Sequence, residues 1–209
     1  PTLSLNNAVD NLYKNEFDIY RKEKKAHPLM QKHNLNCIPY EHEKLPEWRN
    51  AFKGIQWHDK ETNFLLFGGI DDVWINTDDE LHIVDYKATA KKTFNPNFDT
   101  GWEVCYKRQI EIYQWLFRKN GFKVSDIGYI IYANGKSDEK EFNKNLSFEE
   151  YLFPLACNTD WVDEIIKEIY QCLNSEKLPK SGGGWNGDGC EQCLYKKKLF
   201  DIFKAHTSN

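Results

Sequence analysis

Three features of the sequence predict a mixed α/β fold. Apolar residues recur at spacings of three and four over 4–25 and 101–120, the period of helices lying on a core. The stretches 63–76 and 81–88 are instead β-branched, aromatic and apolar, and Thr77-Asp78-Asp79-Glu80 between them has the composition of a hairpin connection. A further strand-sized run, Ile127–Ala133, follows the second helix. The order helix, hairpin, helix, strand, helix makes a mixed central β-sheet flanked by helices.

The first helix spans 4–25 and carries Leu5, Val9, Leu12, Tyr13, Phe17 and Tyr20 on one stripe and a basic polar face. An irregular stretch follows Pro28. Pro46 then suits the first turn of a short helix through Trp48 and Phe52, which Gly54 ends. Over 101–120, Val104, Cys105, Ile112, Tyr113, Leu116 and Phe117 cluster on one side, and Gly121 suits the position just beyond the C-cap. Past Ile127–Ala133, a polar loop with Gly135, Lys136 and Asp138 leads to extended segments at 141–146 and 148–156. Asn158 or Thr159 can cap a last helix bearing Trp161, Ile165, Ile169 and Cys172, which Pro179 stops. Ser181-Gly182-Gly183-Gly184 is a short joint. Residues 1–180 are thus expected to form one domain, with 181–209 a basic, Cys-containing tail packing on it.

The 209 residues suit one domain, and 40% apolar with 15% aromatic residues are enough for a sizeable core. No apolar run approaches the ~20 residues that span a bilayer, so no membrane segment is expected. Pro1–Asn6 shows neither a basic n-region nor an apolar h-region, and the expected location is cytoplasmic. Six Cys lie mostly scattered, and only Cys190-x-x-Cys193 has a deliberate spacing. A net charge of −4 and a pI near 5.9 do not by themselves suggest a nucleic-acid binder.

The chemistry concentrates in Gly68-Gly69-Ile70-Asp71-Asp72-Val73-Trp74 and Ile83-Val84-Asp85-Tyr86-Lys87. Side chains alternate along a strand, so Asp85 and Lys87 share a face, roughly 7 Å apart. A hairpin can bring Asp71 beside them, and Asp71 is preferred to its neighbour Asp72. Two carboxylates and a Lys suit a hard divalent cation, which takes a few carboxylate oxygens and keeps waters for a phosphate substrate. The surrounding Leu81, Ile83, Val84 and Tyr86 are apolar on both faces, so a charged pair there is costly unless it has a purpose.

Gly69-x-Asp71, Asp85-x-Lys87 and Gln109-x-x-x-Tyr113, in that order on a hairpin and a following helix, resemble the motif series of the PD-(D/E)xK nuclease superfamily. The likeness is greatest to its RecB-like branch: AddB nuclease domains, CRISPR-associated RecB-like exonucleases and, most of all, small standalone members. The resemblance implies a restriction-endonuclease-like α/β core and a metal-dependent DNA nuclease, an exonuclease on ends or single strands. It implies that Asp71, Asp85 and the backbone carbonyl of Tyr86 hold Mg²⁺ or Mn²⁺ while Lys87 positions the attacking water. Gln109 and Tyr113, four apart on one helical face, would reach the cleft and the DNA backbone. RecB-like members often carry an upstream His ligand, for which His58 stands nearer than His42.

Iron–sulfur members of the family place one Cys after the first helix and three near the C-terminus. Here only Cys190 and Cys193 fit, so no cluster is expected, and a Zn²⁺ site at that pair would need two further ligands. No phosphate-cradling Gly-rich loop occurs, so any helicase would be a partner in trans. The alternative reading is a catalytically weak module of the same fold that binds DNA or a protein. Charge patterning favours DNA: residues 59–85 hold eight acidic residues against Lys60 alone, and 86–125 hold eight basic against three acidic. Trp and Tyr side chains could stack on unpaired bases.

Overall fold

The computed structural model describes residues 4–177, 179, 182 and 189–207. The chain divides into two compact units, 1–164 and 165–209. In the first, α1 (Ser4–Glu23) and α2 (Pro28–Lys32) precede β1 (Cys37–Pro39) and the single turn α3 (Leu45–Trp48). Then come β2 (Ile55–Asp59), β3 (Phe64–Gly68), β4 (Asp72–Asn76), β5 (Leu81–Thr89), α4 (Val104–Lys119), β6 (Ile127–Gly135) and β7 (Phe148–Ala156). Helix α5 (Asp160–Leu173) crosses the division, and α6 (Glu191–Thr207) lies in the second unit. No helix among the described residues is long and apolar enough to cross a membrane.

The sheet has five strands in the order β1-β4-β5-β6-β7, with β5 and β6 parallel and the other pairs antiparallel. The expected mixed sheet flanked by helices is therefore present. The parallel pair exists because α4 carries the chain across between β5 and β6, a crossover that two-residue turns cannot make. β5 lies third of five, which is why it is apolar on both sides and buried from Leu81 to Tyr86. Val84 and Tyr86 join Val9, Tyr13 and Phe17 of α1 in one core cluster with Trp74, Tyr129 and Ile131. Alternation turns Asp85 and Lys87 to the opposite face.

In α1 the buried row is Val9, Tyr13, Phe17 and Arg21, spaced by four, whereas Leu5 and Leu12 of the expected stripe are exposed. A fourth apolar residue is not needed at Arg21 because its guanidinium pairs with the buried Asp72 and the half-buried Asp18, described below. Helix α4 ends as expected: Gly121 takes φ +86°, its N–H donates to the Arg118 carbonyl at 2.9 Å, and the Phe122 N–H reaches Phe117 O at 3.1 Å. That pair of bonds is a Schellman cap, which favours Gly at the left-handed position.

The stretch expected as one strand over 63–76 is two. β3 pairs with β2 in a separate two-stranded sheet, while β4 joins the large sheet, and Gly69-Ile70-Asp71 passes between them. The break is held in place by Ile70 N donating to Trp48 O at 3.0 Å. The segment 141–146 contains no strand, the turn expected past Trp48 is not helical, and α5 ends at Leu173, before Pro179. Residues 181, 183 and 184 of the glycine run lie outside the described residues.

Candidate active site

Antiparallel pairing of Asp72 with Val84 sets Asp71 opposite Asp85. Asp71 Oδ2 accepts from the Tyr86 N–H at 2.9 Å, so the acidic residue before β4 is stitched to the strand that carries the second carboxylate. Lys87 Nζ is ion-paired with Asp85 Oδ2, as their shared face requires. Asp71, Asp85 and Lys87, which the sequence marked from two separate stretches, thus converge.

Asp85 is almost wholly buried, and its carboxyl is pushed up to about 7, first by burial and then by the charge of Asp71, with Lys87 opposing the rise. Such a carboxylate pair suits a divalent cation, whose charge would stabilise both ionised forms. The donors are hard oxygens, fitting Mg²⁺ or Mn²⁺ rather than a thiophilic metal. Among the described residues no group of three or more His, Cys, Asp or Glu side chains gathers as a metal cage. An ion here would rely on the two carboxylates, backbone oxygen and water.

Asp72 has a different fate. It is fully buried, paired with Arg21, held by Arg49 Nη2 at 3.2 Å, and accepts from the Tyr86 hydroxyl at 2.7 Å and from Val73 N at 2.8 Å. Asp18 closes the network by pairing with both arginines. Arg49 Nε also donates to the Asp71 carbonyl at 2.9 Å, so the network fixes the backbone that carries Asp71. All the acceptor capacity of Asp72 goes to structure.

On the other side of Asp71 stand two α1 residues that sequence reasoning did not single out. Lys14 Nζ lies 3.0 Å from Asp71 Oδ1 and 2.7 Å from Asp10 Oδ2. Burial works against the Lys14 charge, but Asp71 and then Asp10 outweigh it and raise its pKa. The Asp10 carboxyl is raised by burial and then by Asp71. The only sequence signal was their i,i+4 spacing on the polar face of α1.

From α4, Gln109 Nε2 donates to the Tyr113 hydroxyl at 2.9 Å, the contact their four-residue spacing predicts. Tyr113 lies against Gly68, where a Cβ would overlap its ring, so the glycine before the motif is a packing requirement. The Tyr113 hydroxyl is raised chiefly by burial, and the charges of Asp85 and Asp71 add to the rise. The amide–hydroxyl pair therefore lies within the field of both carboxylates.

His58 is not brought to this pair. It projects from the exposed face of β2, three rungs along the hairpin from the Ile55–Gly68 pair, and its Nε2 is 2.9 Å from Asn63 Oδ1. His42 stacks on Trp48 with ring centroids 4.4 Å apart. In the second unit, the Cys190 and Cys193 thiols interact with each other, and the Cys193 backbone N–H, then its thiol, lowers the Cys190 pKa. No third ligand joins them among the described residues.

No curated protein matches the chain. A family model for the PD-(D/E)XK nuclease superfamily matches residues 3–197, a span that holds Asp71, Asp85, Lys87, Gln109 and Tyr113 and the whole five-stranded sheet. On that match and on the restriction-endonuclease-like arrangement of its mixed sheet, the chain belongs to the PD-(D/E)XK nuclease superfamily.

Proposed function

We propose that this chain is a Mg²⁺- or Mn²⁺-dependent DNA nuclease of the RecB-like kind, acting as an exonuclease on ends or single strands. The observation that supports the reading is the convergence of Asp71 and Asp85, with Lys87 paired to Asp85, on one face of a buried central strand. A charged trio is expensive there, and a structural role accounts for Asp72 but not for these residues.

Asp71 and Asp85, with the Tyr86 backbone carbonyl, would hold the ion. When bound, the ion would supply a water of lowered pKa and screen the charge of the phosphate. Lys87, anchored by Asp85, would orient that water and draw in a non-bridging phosphate oxygen. Lys14 adds positive charge on the α1 side for the DNA backbone, and Asp10 holds it there. Gln109 and Tyr113 offer an amide and a hydroxyl toward the phosphate, oriented by their mutual hydrogen bond.

The test is digestion of 5′- and 3′-labelled single- and double-stranded DNA with Mg²⁺ or Mn²⁺. Wild type is expected to release nucleotides from an end. Lys87→Ala is expected to lose at least ~100-fold in rate, the scale of a lost proton-handling or charge-stabilising group. If wild type and Lys87→Ala are equally inert across metals and substrates, the catalytically weak binding module is the better description.

A further inference from the structure

Asp85 is not the only group that holds Lys87. The Lys87 ammonium also lies over the ring of Tyr106, 4.7 Å from its centroid, and the lysine side chain is 19% exposed, so water screens the contact little. Tyr106 sits in the first turn of α4, and spacings of three and four put it on one stripe with Gln109 and Tyr113. The helix lays this stripe over the face of β5 that carries Asp85 and Lys87. The Tyr106 ring is held in turn: its hydroxyl accepts from Trp102 Nε1 at 3.1 Å. Across the parallel pair, β6 sets Tyr132 beside Lys87, and the Tyr132 hydroxyl is raised first by burial and next by Tyr106. Phe94 meets the Tyr132 ring edge to face, with centroids 4.9 Å apart. Lys87 thus stands between a carboxylate of its own strand and tyrosines from α4 and β6.

These anchors respond differently to a cation. A divalent ion on Asp71 and Asp85 would take up the charge of the carboxylate that Lys87 pairs with, and would repel the ammonium. The face of a neutral tyrosine ring is no ligand for such an ion. It attracts an ammonium through its quadrupole, more strongly where water is scarce. An anchor of this kind keeps its hold when the ion pair weakens.

We infer that Tyr106 is a positioning residue whose ring face holds Lys87 while a cation occupies Asp71 and Asp85, keeping the ammonium aimed at the attacking water. The inference rests on the nuclease reading for the place of the ion and the role of Lys87. A ring needed only to fill space would serve equally well with its negative face withdrawn, and this difference gives the test its form.

The experiment makes Tyr106→Phe and the same replacement with phenylalanines carrying one, two and three ring fluorines, which withdraw the negative face at nearly constant size. On 5′-labelled single-stranded DNA with Mg²⁺, kcat is expected to fall stepwise along the series by roughly 2- to 30-fold in total, the range that one cation on one ring supplies, while KM changes less than about twofold. In protein with isotope-labelled lysine, the NMR signal of the Lys87 ε-methylene, assigned by its loss in Lys87→Met, should be shielded by the ring. The signal should stay shielded when Mg²⁺ saturates the protein, as judged by melting, and should lose its shielding in Tyr106→Leu, whose own melting confirms that it folds. The inference is overturned if Mg²⁺ removes the shielding, if folded Tyr106→Leu keeps it, or if a protein that cleaves does so at one rate along the fluorine series. A wild type that cleaves nothing with Mg²⁺ or Mn²⁺ but keeps the shielding in Mg²⁺ would refute hydrolysis and retain the ring contact. Failure to bind Mg²⁺ at all would refute both.

Discussion

Arg49 binds the backbone carbonyl of Asp71 through Nε at 2.9 Å while its Nη2 holds Asp72 Oδ1 at 3.2 Å. One guanidinium thus positions the half-buried Asp71 and neutralises the fully buried Asp72. Arg49→Met should destabilise the protein by about 3 kcal/mol, the low end for breaking a buried pair, because Arg21 still faces Asp72. Urea denaturation checks this, and a loss below about 1 kcal/mol would show that the network does not need Arg49.

Asp71 and Asp72 are adjacent but should fail differently. Asp72→Asn breaks a fully buried pair and is expected to cost about 3–5 kcal/mol. Asp71→Asn removes repulsion against Asp85 and should leave the fold near wild-type stability while abolishing nuclease activity. Denaturation midpoints and DNA digestion on both variants decide the assignment, and the opposite pattern would move the site to Asp72.

Divalent ions should stabilise the folded chain. At about a hundredfold excess over its dissociation constant, a bound ion contributes roughly 2.7 kcal/mol. Calorimetric scans with Mn²⁺ and with a chelator should therefore differ for wild type and coincide for Asp85→Asn. A shift that survives in Asp85→Asn would place the ion elsewhere.

Gly68→Ala should act through Tyr113. The added methyl overlaps the ring, which must shift and take its hydrogen bond to Gln109 with it. Overpacking of this kind costs about 1–3 kcal/mol. A crystal structure of the variant showing Tyr113 unmoved, with unchanged melting, would contradict the packing account.

His82 gives the stability a pH dependence. Its Nδ1 is 2.8 Å from Ile127 O, which can only accept, so this nitrogen carries the proton of a neutral ring. Burial lowers its pKa, with the Ile127 bond and Glu80 opposing. The unfolded chain, titrating near 6.5, then binds a proton that the folded chain resists. The contribution is present above that pH and is lost as pH falls through the folded value. Urea midpoints at pH 7.5 and pH 5 should fall more steeply for wild type than for His82→Gln.

What could be read from sequence was what depends on short separations. Two-residue alternation on an apolar strand put Asp85 and Lys87 on one face, four-residue spacing joined Gln109 to Tyr113, and Gly121 marked the end of α4. The split at Gly69-Ile70-Asp71 was hidden because strand-type runs flank it on both sides, 64–67 before and 73–75 after, and the partner of β3 is Ile55–Asp59, a stretch with no continuous apolar run. Charge counting also met a limit. Of the eight basic residues in 86–125, Lys87, Lys91, Lys107, Arg118, Lys119 and Lys123 are engaged in ion pairs, so the segment total overstates the charge available to DNA.

By itself the sequence determined the types of α1, α4, β5 and β6 and the Asp85–Lys87 and Gln109–Tyr113 pairs, because backbone periodicity is a local property, while α2, β1, β2 and α6 were not legible in it. Only the tertiary structure decided that Asp72 is enclosed by Arg21 and Arg49, that Lys14 and Asp10 of α1 stand beside Asp71, and that Lys87 lies over the Tyr106 ring. Those outcomes depend on which distant charge or ring each side chain meets once the chain has closed, and a carboxylate surrounded by two guanidiniums looks no different in sequence from one left for a cation.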